Sequence, residues 1–455
     1  MMRNTGSRCI LRALILSSLL MCCNCSVSDQ WTMPRVVRIR GGEACFNYNH
    51  LAWYVGARDA HPAGILARDG DLLITDPTEF GFIYRGTDGE SLDLDLQGDV
   101  LFLQGNPVSL RLARENTGRE WLRNASPLDL FHLRTLWIKG EDSLDFPQLQ
   151  KLARVRPDIG LFITEIYHPD VVVRLFDLFE PRVLHIQSSV LAARFEEVES
   201  GLAKLEVLFL LGDSDDEENL SFLAKLPRLH TLWLQERLSK SAGILAGCRN
   251  LRSLTVIDDE ITDLSILENV TGLCELVLIG SPNLENISAL EAFPDLKKLS
   301  LCHCGVRDLS VLERLTGLVW LGFPKDTTQE AFAAAVAGHP ALEAVELIGC
   351  DNIRDLSPLQ SLPNLKAAVI LTKGVDLDGL QDLKDLQYLA LPKEAFEGDA
   401  ARKTAALEQA LPNTFIAQAA PFCLGSGWIL LLVPATVIIW ILLVWRKKRR
   451  GASDA

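Results

Sequence analysis

The tripeptide Cys302-His303-Cys304 contains the residue types that most often bind a metal ion. Thiolate and imidazole are ligands that zinc prefers, but a tetrahedral site needs four ligands converging on one point. At the end of a strand, Cys302 and His303 would point in opposite directions, so four ligands could not converge without distortion. We therefore expect no metal here, and we expect Cys304 to fill a structural position that Cys350 repeats two coils later.

Other patterns that could support chemistry are weak. The acidic run 213–218 lacks the Asp-x-Asp-x-Asp-Gly spacing that wraps a calcium ion, so a solvated loop is expected there. The chain has no Gly-x-Ser-x-Gly, no His-Glu-x-x-His and no phosphate loop, and its histidines are scattered. These observations predict a protein that is not an enzyme and that uses no cofactor.

The formal net charge of −14 is unevenly distributed, because three arginines lie in the first 25 residues and five basic residues at 446–450, which leaves the body between them more acidic than the whole chain. An acidic body repels nucleic acid, so a nucleic-acid partner is not expected. We therefore expect a protein partner, whose identity the sequence does not give. The sequence also leaves the oligomeric state open.

The elements that must position any site come from one recurring pattern, Leu-x-x-Leu-x-Leu. Its intervals are 21 to 24 residues, inside the range of leucine-rich repeats. Weaker copies start at Leu133, Asp158 and Pro181, giving twelve coils in all. The clear copies begin at Leu205, Leu229, Leu251, Leu273, Leu296, Leu318, Leu342, Leu365 and Leu386.

A second pattern, Leu/Ile-Ser-x-Leu, precedes several repeats by a constant distance, as at Leu264-Ser-Ile-Leu267 and Leu356-Ser-Pro-Leu359. The serine hydroxyl could accept a free backbone N–H at the start of a helical turn. We therefore predict that these serines cap short turns on the convex side.

The segment Ile353-Arg-Asp-Leu-Ser-Pro-Leu-Gln-Ser-Leu-Pro-Asn-Leu365 resembles the repeat unit of bacterial internalin-type leucine-rich repeats. The segments 261–267 and 306–312 match the same unit. The resemblance covers about residues 128–416 and implies a curved solenoid, a parallel sheet on its concave face and a role in protein–protein binding. Two departures are that the usual Asn after the strand is replaced, for example by Cys304, and that an LPxTG wall-sorting motif is missing.

Residues 1–25 read as a secretory signal, with three arginines before the short apolar run 13–21. Lipidation at Cys22 or Cys23 is an open alternative. Single cysteines flank the repeats instead of clustered pairs, which favours a bacterial source.

The charge-free stretch 422–445 is long enough to cross a bilayer, and five basic residues follow it at once. Together with the signal, it predicts a single-pass type I cell-membrane protein whose body is extracytoplasmic. Alternatively, the C-terminal segment is a sorting tail that is removed by processing.

The predicted fold class is an α/β solenoid: a leucine-rich-repeat horseshoe with a parallel concave sheet, a β-rich N-terminal cap and one C-terminal transmembrane helix. Strand-like composition at 35–40, 80–85 and 100–103 motivates the cap. The predicted boundaries are signal peptide 1–25, cap region 26–127, solenoid with its C-terminal cap 128–416, linker 417–421, transmembrane helix 422–445 and basic tail 446–455.

Strand alternation turns the leucines into the core and the intervening residues onto the concave face. The central position of the first five coils is occupied by large aromatic side chains and a histidine: Trp137, Phe162, His185, Phe209 and Trp233. We predict that this row binds a protein partner, as an exposed aromatic stripe usually does. The alternative is that the N-terminal cap folds over the row.

These observations favour a surface protein that mediates protein–protein binding or adhesion through its concave face. A structural envelope protein that self-associates through the solenoid is the alternative function.

Overall fold

The structure is a computed structural model that describes residues 94–103, 105–113, 117–212, 220–235, 244–257, 260–267 and 269–419, and five short strands before them. The predicted signal peptide 1–25, the acidic run 213–218, the transmembrane segment 422–445 and the basic tail lie outside the described residues. Within the described part of the chain, no helix has both the length and the apolar character needed to cross a bilayer.

A sheet of 16 strands, counted over the described residues, runs through the molecule in strict sequence order. Its first three strands form an antiparallel meander, and every later strand pairs in parallel with the one before it. The strands are β1 Val37–Ile39, β2 Gly42–Ala44, β3 Leu66–Ala67, β4 Asp71–Asp76, β5 Phe80–Tyr84, β6 Leu94–Gln97, β7 Val100–Leu103, β8 Asn106–Leu112, β9 Thr135–Lys139, β10 Gly160–Thr164, β11 Val183–Gln187, β12 Val207–Leu211, β13 Thr231–Gln235, β14 Ser253–Ile257, β15 Glu275–Ile279, β16 Lys298–Ser300, β17 Trp320–Gly322, β18 Ala344–Ile348, β19 Ala367–Leu371, β20 Tyr388–Pro392 and β21 Phe415–Ala419.

The repeat register predicted from the leucines is confirmed by the strand pairing. Each of the twelve central positions is the register partner of the next, from Trp137 opposite Phe162 to Val369 opposite Ala390. The leucines on either side form the core, and Leu276 and Leu299, which are partners on β15 and β16, are both 0% exposed. Each coil thus covers its neighbour's leucines, as a solenoid requires.

The described return paths of the coils are helical, and they use either 3-10 turns or α-helices. Thr255 and Val277 are 22 residues apart and enclose a 3-10 turn, whereas Gly322 and Glu346, 24 residues apart, enclose an α-helix. The α-helices are α1 Thr117–Asn124, α2 Pro127–His132, α3 Phe146–Ala153, α4 Pro169–Phe176, α5 Ser188–Ala192, α6 Phe195–Val198, α7 Gln329–Gly338 and α8 Ala400–Ala410. The 3-10 helices are Glu141–Ser143, Glu199–Leu202, Leu220–Lys225, Ile244–Gly247, Ser265–Leu267, Ser288–Ala292, Ser310–Arg314, Ser357–Ser361, Asp378–Leu380 and Lys393–Phe396.

The predicted capping role of the repeat serines is wrong. The turns begin at these serines, but Ser310 and Ser357 make no side-chain cap. Instead their backbone N–H groups donate to the carboxylate two residues earlier, to Asp308 at 2.9 Å and to Asp355 at 2.8 Å. The serine is already the first residue of the turn, so its own N–H is an orphan donor that needs an acceptor from outside the turn.

The continuous sheet extends past both ends of the stretch 128–416. β8 pairs in parallel with β9, so the continuous sheet starts inside the stretch 26–127 that the sequence assigns to the cap. β21 runs to Ala419, inside the predicted linker 417–421, because its backbone still pairs with Pro392 of β20. The strands β3 to β5 form a separate antiparallel sheet, and β5 lies against β8 and β9.

Candidate functional site

The predicted aromatic row is a continuous ladder of rings across five adjacent strands, β9 to β13. The ring centroids of successive members are 4.8, 5.6, 5.8 and 6.0 Å apart. The first two steps are stacked, with interplanar angles of 20° and 19°, and the later steps are tilted. We call this set, Trp137, Phe162, His185, Phe209 and Trp233, the aromatic row.

Burial divides the aromatic row into an inner part and one accessible end. Phe162 and Phe209 are 0% exposed, Trp233 is 4% and His185 is 8% exposed, whereas Trp137 is partly exposed. The inner four rings are therefore buried, and Trp137 is the member that solvent reaches.

His185 sits in this stack as a neutral imidazole. Burial lowers its pKa to about 4, and the backbone groups of His185 and Ile163 oppose the shift only in part. Its Nδ1 has no hydrogen-bond partner among the described residues. At neutral pH the aromatic row is therefore uncharged.

Beyond the row, the central column changes character. Thr255, Val277, Ser300, Gly322, Val369 and Ala390 are small or aliphatic and buried, but Glu346 is a carboxylate that is only 1% exposed. A buried carboxylate is costly unless it is paired or hydrogen-bonded, so its surroundings define a second candidate site.

We name this second site the charged cluster: Glu275, Lys298, Ser300, Cys302, Trp320 and Glu346 on β15 to β18 and the residues that follow β16. The Ser300 hydroxyl donates to Glu346 Oε2 at 2.7 Å, and the Cys302 thiol donates to the same oxygen at 3.3 Å. Lys298 Nζ lies 4.5 Å from the Trp320 ring centroid, in cation–π geometry. The Ser253 hydroxyl donates to Glu275 Oε2 at 3.0 Å.

The electrostatics of the charged cluster are set by burial. Burial raises the pKa of Glu275 to about 7 and raises the pKa of Glu346, while the charge of Lys298 opposes both shifts. Burial lowers the pKa of Lys298, and the two carboxylates oppose that shift. The carboxyl groups of Glu275 and Glu346 thus both interact with the amine of Lys298, and all three groups are buried.

The cysteines at the end of the strands play a structural part. Cys304 donates its thiol to the carbonyl of Leu278 at 3.6 Å, and Cys350 donates to Pro324 at 3.4 Å. Burial raises the pKa of each thiol to about 12, so both remain protonated donors. Among the described residues, no three side chains are arranged to hold a metal ion.

A mixed-charge cavity of about 540 Å³ lies where β8 and β9 end. The charged side chains that line it form ion pairs with one another or hydrogen bonds with the backbone. Arg111 Nε is 2.9 Å from Asp99, and one oxygen of Glu141 accepts the backbone N–H groups of Tyr167 and His168 at 3.0 and 2.8 Å. This cavity is lined by structural ion pairs at the first coil.

The leucine register brings all five predicted row residues together, but it does not reveal the charged cluster. One signal was present in the sequence: Glu275 and Lys298 occupy the same position in consecutive repeats, and they are indeed register partners. Glu346 was visible only as one polar member of an otherwise small column.

No protein-family model matches the sequence, and no curated protein matches it. The chain is similar to an internalin (inlF) of Listeria monocytogenes at 20% identity, over 66% of this chain and 86% of that one, with a TM-score of 0.36. It is similar to a chain of the Rad7 and Elc1 complex in yeast at 15% identity, over 69% and 86%, with a TM-score of 0.43. A leucine-rich-repeat protein of Leptospira interrogans matches at 14% identity, over 66% and 98%, with a TM-score of 0.30.

An internalin and another leucine-rich-repeat protein are therefore among the structures this chain is similar to. The leucine-rich-repeat fold itself rests on the strand register described above.

Proposed function

We propose that this chain is a membrane-anchored, extracytoplasmic leucine-rich-repeat protein that binds a protein partner on its concave face and is not an enzyme. The observation that carries the proposal is the unbroken ladder of rings from Trp137 to Trp233 on five neighbouring strands. Trp137 is the partly exposed end of this ladder, and an exposed aromatic side chain backed by a rigid stack is of the kind that dominates binding energy at interfaces. The sheet holds the rings in place before any partner arrives, which lowers the entropic cost of binding.

Trp137 is the point at which a partner can begin contact, because it is the row's partly exposed member. Its indole Nε1 has no hydrogen-bond partner among the described residues. A partner that offers an acceptor there would satisfy a donor that is otherwise left without one.

The binding experiment compares two matched tryptophan variants of the full-length chain, used as bait for its native envelope. Trp137→Ala should reduce capture of the partner by about thirtyfold, the loss expected for an interface anchor worth about 2 kcal/mol. Trp121→Ala removes an equally large, partly exposed ring on α1, outside the row, and should leave capture unchanged. Equal losses for the two variants would remove the row from the binding site.

Membrane anchoring is supported by the sequence stretch 422–445 and the basic residues that follow it. Protease added to intact spheroplasts should degrade the body and spare a short C-terminal fragment. A body that is fully protected would overturn the proposed topology. The intact mass of the mature protein separates a retained span from a processed tail.

A further inference from the structure

The cavity where β8 and β9 end adjoins the accessible end of the aromatic row. Arg111 on β8 is the register partner of Trp137, and Lys139 lies two residues further along β9 on the same face as Trp137. Both Arg111 and Lys139 line the cavity. The cavity is open to solvent, because its lining residue Tyr167 is 67% exposed and the side chain of Glu165 is 57% exposed. A partner that contacts Trp137 can therefore also reach into the cavity.

The charges that line the cavity do not balance. Two basic side chains stand against four carboxylates: Arg111 and Lys139 against Asp99, Glu141, Asp142 and Glu165. With the imidazole of His168 neutral, the lining carries a net negative charge. Arg111 and the buried Asp99 form a close pair at 2.9 Å, so the excess negative charge lies with the carboxylates nearer the solvent. A cleft with an excess of one sign concentrates groups of the opposite sign, so the cavity favours a cationic ligand.

Two of the outer carboxylates, those of Glu141 and Glu165, differ in their role in the fold. Glu141 Oε1 accepts the backbone N–H groups of Tyr167 and His168, which holds the segment after β10 in place. Glu165 forms an ion pair with Lys139 at 3.9 Å, and ion pairs with this degree of exposure contribute little to stability. The carboxylate of Glu165 can therefore change partners at little cost to the fold.

The backbone at Glu165 is strained even though its side chain contributes little to folding. Its φ is 56°, and the equivalent residue of the preceding coil is Gly140, with φ 79°. Glycine adopts this left-handed conformation without the steric cost that a Cβ brings. Strained backbone of this kind is concentrated at functional sites. A carboxylate held in this way at the mouth of a cavity points to a role in binding.

We propose that this cavity binds the guanidinium group of an arginine side chain on the protein partner, with Glu165 as its main acceptor. The assignment rests on the proposed function, since the same partner would contact Trp137 next to the cavity. Guanidinium fits the lining better than ammonium does, because its planar N–H groups match a carboxylate and its face stacks on exposed aromatic rings such as Tyr167. The partner would then present an arginine beside the group that covers Trp137.

The test uses two small probes that need no partner. The first is n-propylguanidinium, which reproduces an arginine side chain, and the second is n-propylurea, its neutral planar counterpart. Their affinities for the full-length chain in nonionic detergent micelles are measured by ligand-observed NMR titration at low ionic strength. An exposed ion pair contributes up to about 1 kcal/mol, so the guanidinium should bind about fivefold more tightly than the urea.

Glu165→Gln keeps the shape of the side chain and removes its charge, so it should lower the affinity for the guanidinium by at least about threefold and leave that for the urea unchanged. Glu180→Gln is the matched control. Its carboxylate is 48% exposed, pairs with Lys204 at 2.6 Å and does not line the cavity, so both affinities should stay as they are.

Two further variants separate binding from folding. Glu165→Gly removes the carboxylate together with the backbone strain, so it should lose the preference for the guanidinium although its melting temperature does not fall. Lys139→Gln removes the cation that competes for Glu165, so it should raise the affinity for the guanidinium by at least about threefold. A purely structural role for Glu165 would produce neither change.

Equal affinities of the native chain for the two probes would overturn the arginine site, and so would an unchanged preference in Glu165→Gln. The result is distinguishable from that of the proposed function, because the probes bind without the partner. A preference that Glu165→Gln removes, together with unchanged capture of the partner by Trp137→Ala, would support the cavity site and count against the aromatic row. Capture that Trp137→Ala reduces, together with equal binding of the probes, would do the reverse.

Discussion

The imidazole of His185 stacks on the phenyl ring of Phe162, with ring centroids 5.6 Å apart and planes inclined by 19°. The same imidazole is tilted against Phe209 at 5.8 Å, so it is enclosed by apolar rings on both sides. This environment favours the uncharged form and ties the stability of the first coils to pH.

Acid should destabilise the protein through His185. Its pKa is about 4 in the folded state against 6.5 for the ordinary group, so the unfolded chain takes up a proton first as the pH falls. The stabilisation is fully present above pH 6.5 and is lost between 6.5 and about 4, by up to about 3 kcal/mol.

Urea unfolding at several pH values should show this loss in the native chain and not in His185→Leu. Glu275, whose raised pKa of about 7 works in the opposite direction from pH 4.5 upward, is present in both proteins and cancels in the difference. Parallel pH profiles for the two proteins would mean that His185 is solvated or hydrogen-bonded in the folded state.

The leucine register predicts that a charge at Leu276 unfolds its coil. Leu276 is 0% exposed and opposite Leu299, so Leu276→Asp buries an unpaired carboxylate and should cost several kcal/mol. Leu128→Asp is the same substitution at a side chain that is 66% exposed, and it should change the melting temperature little. Circular-dichroism melting checks both, and matching midpoints for Leu276→Asp and the native chain would refute the register.

The sequence predicted the sheet register well because the leucines report it locally. A Leu-x-x-Leu-x-Leu unit fixes which side chains face the core within six residues, and the parallel stacking of coils then aligns Trp137 with Phe162 and so on. The acceptor for the first N–H of each turn was harder to predict, because the serine and the aspartate of Asp308-Leu-Ser310 can both accept a backbone N–H. The structure shows that Asp308 is the acceptor.

The burial of the concave side chains could not be read from the same pattern. Strand alternation shows that Phe209 faces away from the leucines, but its exposure depends on residues distant in sequence. The charged cluster could not be predicted from the sequence for a related reason. Ser300 and Glu346 are 46 residues apart, and they meet only because Gly322 between them has no side chain.

Gly322 should therefore be intolerant of even a methyl group. In Gly322→Ala the new Cβ would force Glu346 and Ser300 apart, and overpacking of this kind usually costs about 1–3 kcal/mol. Gly338→Ala is the matched control, because a Cβ there, at the end of α7, meets no atom within 4 Å. Alanine also has the better helix propensity, so this control should be neutral or stabilising by up to about 1 kcal/mol. Equal midpoints for the two variants in urea would show that Glu346 does not lie across β17.

Glu165 occupies a backbone position that the preceding coil gives to glycine. Its φ is 56°, and the residue at the same place one coil earlier, Gly140, has φ 79°. Left-handed backbone costs a residue with a Cβ about 1–2 kcal/mol relative to glycine. The Glu165 side chain contributes little stability to offset this cost, since its ion pair with Lys139 at 3.9 Å is partly exposed to water.

Glu165→Gly should accordingly stabilise the protein, by about 1 kcal/mol after the greater entropy of glycine in the unfolded chain is subtracted. Gly140→Ala is the reciprocal change. A Cβ there meets no atom within 4 Å, so its expected loss of about 1 kcal/mol comes from backbone strain alone. Both free energies come from urea unfolding at pH 7. Opposite signs for the two variants would identify a left-handed position shared by the first two coils, whereas a destabilised Glu165→Gly would mean that the carboxylate contributes more than its strain costs.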